Sequence, residues 1–210
     1  TSQRELSAVQ ALQALDGASS ALAAITGAQT DRMTRDDGWQ LLSIGRHVER
    51  LGFLSAALDL AVDVGAFDNS PATANPADDN SSHFTALLSL FDSTITFQAQ
   101  YQQSRELAPL VELLVQDNDN PRSLAWVART LRGRLSKLAN TPMGEPDALA
   151  RLVPDLKHID LAQLCMPNET GQHLALRNCL AQCTQAAWQV SDAITAHYFS
   201  HTDTADSVGG

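Results

Sequence analysis

The chain has no run approaching the ~20 consecutive apolar residues that a membrane-spanning helix requires, and its first residues form neither a basic segment nor an apolar signal core. This argues against a membrane protein and makes a cytoplasmic location the simplest expectation. Cysteine is scarce: Cys165, Cys179 and Cys183 are an odd number in 210 residues, which speaks against a disulfide framework. Basic residues are scarce as well, 14 against 24 acidic ones, and the formal charge of −10 repels phosphate backbones and anionic lipid alike. Arg129, Arg132, Arg134 and Lys137 do cluster, but they read as the solvated face of a helix and not as a nucleic-acid contact. Also missing are a G-x-x-x-x-G-K-[ST] phosphate loop, a G-x-G-x-x-G turn, H-E-x-x-H and G-x-S-x-G. The six histidines are scattered, without a Ser or Cys partner at catalytic spacing. These absences argue against a self-sufficient ATP-driven or hydrolytic enzyme.

What remains is a composition that folds. A hydrophobic fraction of 44% with 18% charged residues gives enough apolar surface to offset the entropy of ordering the chain. No alternating apolar and polar run is long enough for a strand, and no βαβ rhythm is present, so the fold class is all-α: an antiparallel helical bundle of about six to seven helices. The first helix runs from Glu5 to Ile25 on Leu6, Val9, Leu12, Leu15, Leu22 and Ile25, and the second from about Gly38 to Val64 on Leu41, Ile44, Val48, Leu51, Leu58 and Val62. Residues 65–80, with two prolines and many Asp and Asn, read as a long loop. A third helix carries Phe84, Leu87, Leu88, Phe91 and Ile95 and reaches Tyr101. After a short apolar segment, Ala108 to Val115, a helix starts with Asn120 as N-cap and Pro121 at its first position and runs to about Leu138. Thr141 to Glu145 is a turn, one or two short helices surround Pro154, and the last long helix covers Gly171 to about Tyr198. Residues 1–201 read as a single helical domain and 202–210 as a flexible tail.

The second helix carries the most suggestive chemistry. Arg46, Glu49 and Arg50 lie opposite its apolar stripe at i, i+3 and i+4 spacing, which brings them into mutual reach. Trp39, Leu42, Phe53 and Leu60 share that side, as on a helix packed between two neighbours. The trio is then partly desolvated, and it is either a structural lock or a functional pocket. Gly45 and Gly52 leave room for another helix to approach. Asp92, on the third helix with Ser93, Thr96 and Tyr101, is a counter-ion for Arg46, Arg50 or Arg122. Residues Asp117 to Ser123 lack the central Gly and distant Glu of a calcium loop, while the helix start beyond them offers either a cap alone or an anion site built on Arg122, Ser123 and backbone N–H groups. Cys179 and Cys183 fall in the apolar series of the last helix and read as core; a fourth ligand at zinc spacing is missing, so no metal is expected.

Gly38-Trp39 followed by Gly45-Arg46-x-x-Glu49-Arg50, then Asp92-Ser93 with Tyr101 further on, then Asn120-Pro121-Arg122-Ser123-Leu124, resemble in type and order the alpha-E domain of bacteria. The closing Tyr198-Phe199-Ser200-His201 is similar too, so the resemblance spans about Met33 to His201. Alpha-E domains usually carry a further Gly-Arg-x-x-Glu-Arg copy near their start, and none precedes Thr1. The chain is therefore expected to be a piece of a longer protein, or to receive the first helix of its bundle from another polypeptide. The resemblance implies an all-helical module fused to, or beside, a circularly permuted ATP-grasp ligase, often with a transglutaminase-like peptidase nearby. Such a ligase forms amide or peptide bonds, with ATP and Mg on that partner and no cofactor on this chain. Carried over, Glu49 is the candidate catalytic residue, orienting or deprotonating an amine, and Arg46, Arg50, Asp92, Tyr101, Asn120, Arg122 and Ser123 are candidate substrate-binding residues. The alternative is a non-catalytic scaffold that docks the ligase.

Overall fold

The computed structural model describes residues 7–65, 80–102, 104–139 and 147–199. Among these the chain is all-α, with eight α-helices and no strand. The expected loop at 65–80, the turn at Thr141 to Glu145 and the tail from 202 lie, but for Gly65 and Asn80, outside the described residues. Two compact units are formed, Thr1–Gln40 and Leu41–Gly210.

In the first unit, α1 spans Ala8–Arg32. It opens on a capping box in which Ser7 Oγ accepts from Gln10 N–H at 3.3 Å and Gln10 Oε1 accepts from Ser7 N–H at 3.1 Å. The helix extends past the expected end at Ile25 because Thr26 to Asp31 contain no proline and only one glycine. Asp36 then caps the start of α2 (Asp37–Asp63), accepting from Trp39 N–H at 3.0 Å, while the Arg35 guanidinium lies 4.6 Å from the centre of the Trp39 ring.

In the second unit, the rest of α2 buries Ile44, Val48, Leu51, Leu54 and Leu58. Their i, i+3, i+4 spacing places them on one stripe. The third expected helix is two: α3 (Asn80–Leu90) and α4 (Thr94–Tyr101). Asp92 adopts a left-handed φ of 49°, Asp92 N–H donates to Ser89 O and Ser93 N–H to Leu88 O, both at 2.9 Å. This pairing is the Schellman closure of a helix C-terminus, with Asp where glycine is usual. An aspartate reads as an ordinary helical residue in a periodicity search, so the break left no signal. Beyond it, α5 (Leu107–Val111) continues into a π-helical turn at Glu112–Gln116, and α6 spans Leu124–Ala139. A 3₁₀ turn (Ala150–Leu152) and α7 (Leu161–Cys165) precede α8 (Leu174–Ile194), which ends in a π turn at Thr195–Phe199.

The core gathers Leu110, Leu113, Leu114, Leu124, Leu131 and Leu135 with Leu176, Leu180 and Val190 of α8. Cys179 and Cys183 are buried among them, as their apolar series implies, and hydrogen bonding to Cys179 together with burial pushes the Cys183 thiol up. α2 and α8 run antiparallel: Arg177 bridges Asp59 at 2.9 Å and Asp63 at 2.6 Å, while Gly52 meets α8 a few turns further on. A Cβ built on Gly52 would stand 3.3 Å from the Ala187 methyl, so this glycine allows the close approach expected of it; Gly45, by contrast, faces open space.

Candidate functional site

The Arg-Glu-Arg trio does not form the mutual lock that its spacing allows. Among the described residues Glu49 makes no ion pair, and it is exposed. Phe53 and Leu60 are exposed at 58% and 62%, so this face of α2 is open along that stretch, while Leu42 is half-buried and Trp39 buried. An apolar residue on a helical wheel shows which side it occupies, not whether a neighbour covers it.

The open face instead forms one wall of a cleft of about 350 Å³, lined by Glu49, Arg50, Phe53 and Leu54 of α2, Leu90 and Phe91 at the end of α3, and Arg122. Arg122 reaches it from the turn before α6, its Nη2 2.7 Å from Asp92 Oδ2. Because the closure of α3 sets Asp92 at a positive φ, the helix break and the placement of Arg122 have one cause. Arg50 is half-buried and forms no hydrogen bond or ion pair with the described residues. Burial first, and then the charges of Arg122 and Arg46, pull its guanidinium below its ordinary pKa. The cleft thus sets two cationic forks against one carboxylate and four apolar side chains.

Asn120 and Ser123 serve the scaffold. The helix start differs from expectation: α6 begins at Leu124 and Ser123 is its cap, its Oγ accepting from Trp126 N–H at 3.1 Å while donating to the Asp117 carbonyl. Asn120 heads the preceding turn, its Oδ1 accepting from Arg122 N–H at 3.0 Å and its Nδ2 donating to Leu113 O at 3.1 Å. A second contact of Nδ2, to Ser93 Oγ at 3.5 Å, is at the limit of a hydrogen bond. The N–H groups of Arg122 and Trp126 are therefore occupied by these side chains.

Tyr101 and Arg46 do not line the cleft. The Tyr101 ring leans on Phe97 at 5.1 Å, and its hydroxyl lies near the Glu112 carboxylate of the π turn. Burial first, and then that carboxylate, push it up to about 12.

From the sequence, His47 reads only as one of the scattered histidines and Arg134 only as part of a solvated basic run. His47 stacks on Trp126 at 6.0 Å, and its Nδ1–H donates to the Ser43 carbonyl at 2.6 Å. Burial, more than the surrounding Arg50, Arg134 and Arg46, pulls its pKa down. Arg134 is half-buried near this imidazole, so the basic run of α6 is not uniformly solvated. The i+1 position of His47 relative to Arg46 was the signal available, but spacing alone does not reveal a partner on α6.

No curated protein and no solved structure matches the chain. A family model, Alpha-E, described as a predicted alpha-helical domain with a conserved ER motif, matches residues 2–199. The sequence holds a single Glu-Arg dipeptide, Glu49-Arg50, and both residues line the cleft. With the match running over nearly its whole length, the chain belongs to the Alpha-E family.

Proposed function

We propose that this domain receives the anionic group of a substrate, a carboxylate or acyl phosphate, between Arg50 and Arg122, with Glu49 beside it to orient or deprotonate an incoming amine. The observation that carries the reading is Arg50: a half-buried guanidinium with no protein acceptor among the described residues, facing a second guanidinium across a cleft. An oxyanion there relieves the repulsion between the two and supplies charge-assisted hydrogen bonds. Arg122 is already aimed by Asp92, and Phe53 and Leu90 offer apolar walls to the body of the substrate. In an amide-forming system the amine nitrogen attacks the acyl carbon, the C–O bond to phosphate breaks, phosphate leaves with the electron pair, and the ammonium proton passes to Glu49. The acyl phosphate would come from an ATP-grasp ligase, fused or separate, that holds the ATP and Mg. Among the described residues Glu49 lacks the ion pair that a structural lock requires, which weighs against the scaffold alternative.

The test is a titration of the full chain with acetate and with inorganic phosphate, followed through the arginine Nε–Hε NMR signals. Arg50 and Arg122 are expected to shift together and saturably, and Arg50→Met to lose the response while keeping the wild-type unfolding midpoint. Absence of a saturable shift for either anion, or an unchanged response in Arg50→Met, overturns the anion site. In the complete reaction with the ligase, Glu49→Gln is expected to lose product with the fold intact.

A further inference from the structure

A second feature lies along the α2 and α8 pair. Two clefts, of about 420 and 510 Å³, follow each other between these helices and meet at Trp188, which lines both. Their apolar wall is left open: Trp188 is 70% exposed, Leu60 62% and Phe53 58%. Large apolar side chains scattered singly on a surface need no explanation, but three of them along one groove mark a contact surface. The charged residues lining both clefts are all acidic, namely Glu49, Asp59, Asp63 and Asp192. Arg177 pairs with Asp59 and Asp63 and offsets one of these charges, leaving the groove net negative. From Glu49 to Asp63 the groove follows α2 for about 20 Å, the length of a helix of some 14 residues.

We propose that this groove docks an amphipathic helix of a partner protein, one whose apolar stripe is flanked by Lys and Arg. Its apolar residues at i, i+3/i+4 and i+7 cover Phe53, Trp188 and Leu60, and its basic flanks meet Asp59, Asp63 and Asp192. A second copy of this chain is a poorer occupant, because apposing two such faces brings acidic rims together. The groove shares Glu49 and Phe53 with the anion cleft, and its test leaves both of them, and Arg50 and Arg122, untouched.

The probe is a synthetic 14-residue helix with Leu at positions i, i+3, i+4 and i+7 and Lys elsewhere, paired with an analogue carrying Gln in place of Lys. Binding to the full chain is followed by tryptophan fluorescence, with Trp188→Phe identifying the signal of that residue, and by calorimetry. The expected result is saturable one-to-one binding of the Lys peptide, weakened at least tenfold in Leu60→Ser and in Trp188→Ala, and weakened similarly for the Gln analogue. Both substitutions are at exposed positions, so the unfolding midpoint is expected to hold and loss of binding to be specific. Equal affinity for the two peptides, no effect of either substitution, or no saturation up to 1 mM peptide overturns the proposal. So does a dimer in sedimentation that Leu60→Ser dissociates, since the groove is then an interface between copies of the chain.

Discussion

Replacing Asn120 by Ala tests the link between fold and site most directly. The side chain is 9% exposed and ties three segments: Nδ2 donates to Leu113 O of the π turn and, weakly, to Ser93 Oγ after the Schellman closure, and Oδ1 accepts from Arg122 N–H. Alanine leaves the Leu113 carbonyl, in a residue with no exposure, without that donor, at about 1–3 kcal/mol. The half-exposed Arg122 N–H is rehydrated in part and loses about 0.5–1.5 kcal/mol. Together the loss is about 1.5–4.5 kcal/mol, a fall in Tm of roughly 3–18 °C for a chain of this size. Urea denaturation followed by circular dichroism at 222 nm measures it, with the m-value unchanged if the folded state remains compact. Asn120→Asp sharpens the test: it keeps an acceptor for Arg122 N–H but turns a carboxylate toward the Leu113 carbonyl and brings it near Asp117, whose Oδ1 accepts from the backbone N–H of residue 120 at 3.2 Å. At neutral pH it is expected to cost at least as much as Ala. A loss below about 1 kcal/mol for Ala, or a stable Asp variant, refutes the account of Asn120 as a buried tie.

Three further outcomes follow from the same geometry. His47 has its folded pKa below the unfolded value of about 6.5, so the unfolded chain binds the extra proton first: stability is full above that value and falls as pH drops toward the folded pKa. His47→Asn, which keeps a donor for Ser43 O, is expected to flatten the slope of stability against pH below about 6.5; an unchanged slope refutes this. Tyr101 ionises near 12, so its contribution is present below the unfolded value of about 10 and is lost as pH rises through 12; Tyr101→Phe is expected to remove the latest component of the ultraviolet phenolate titration. Gly52→Leu forces side-chain volume against Ala187 and is expected to cost about 1–3 kcal/mol in urea denaturation. Gly52→Ala is expected to stay within about 1 kcal/mol of wild type, since its gain in helix propensity offsets the 3.3 Å contact.

The order of the helices was legible because each long one repeats its apolar residues at helical spacing: Ile44, Val48, Leu51 and Leu58 of α2 and Leu176, Leu180 and Val190 of α8 are all buried. Periodicity is local, and so it missed events decided by one residue. Asp92 closes α3 in a left-handed conformation that an aspartate tolerates but does not announce, and Ser123 takes the cap expected of Asn120. The candidate site was legible only in part. Residue type and position alone brought out Glu49, Arg50, Asp92 and Arg122, which the structure groups at one cleft; they also brought out Arg46, Tyr101, Asn120 and Ser123, which hold other places.

By itself the sequence determined the helical class, the stripes that α2 and α8 bury and the family, because these depend on local spacing and on the identity of neighbouring residues; the Val9, Leu12, Leu15, Leu22 and Ile25 stripe of α1 is exposed. Only the tertiary structure decided that the Glu49 face of α2 stays open, that Arg122 arrives beside Arg50, and that Trp188 meets Leu60 and Phe53 across a groove. Whether a charge is paired or a leucine covered depends on what residues 30 to 130 positions away bring to it, and a helical wheel contains no such residue.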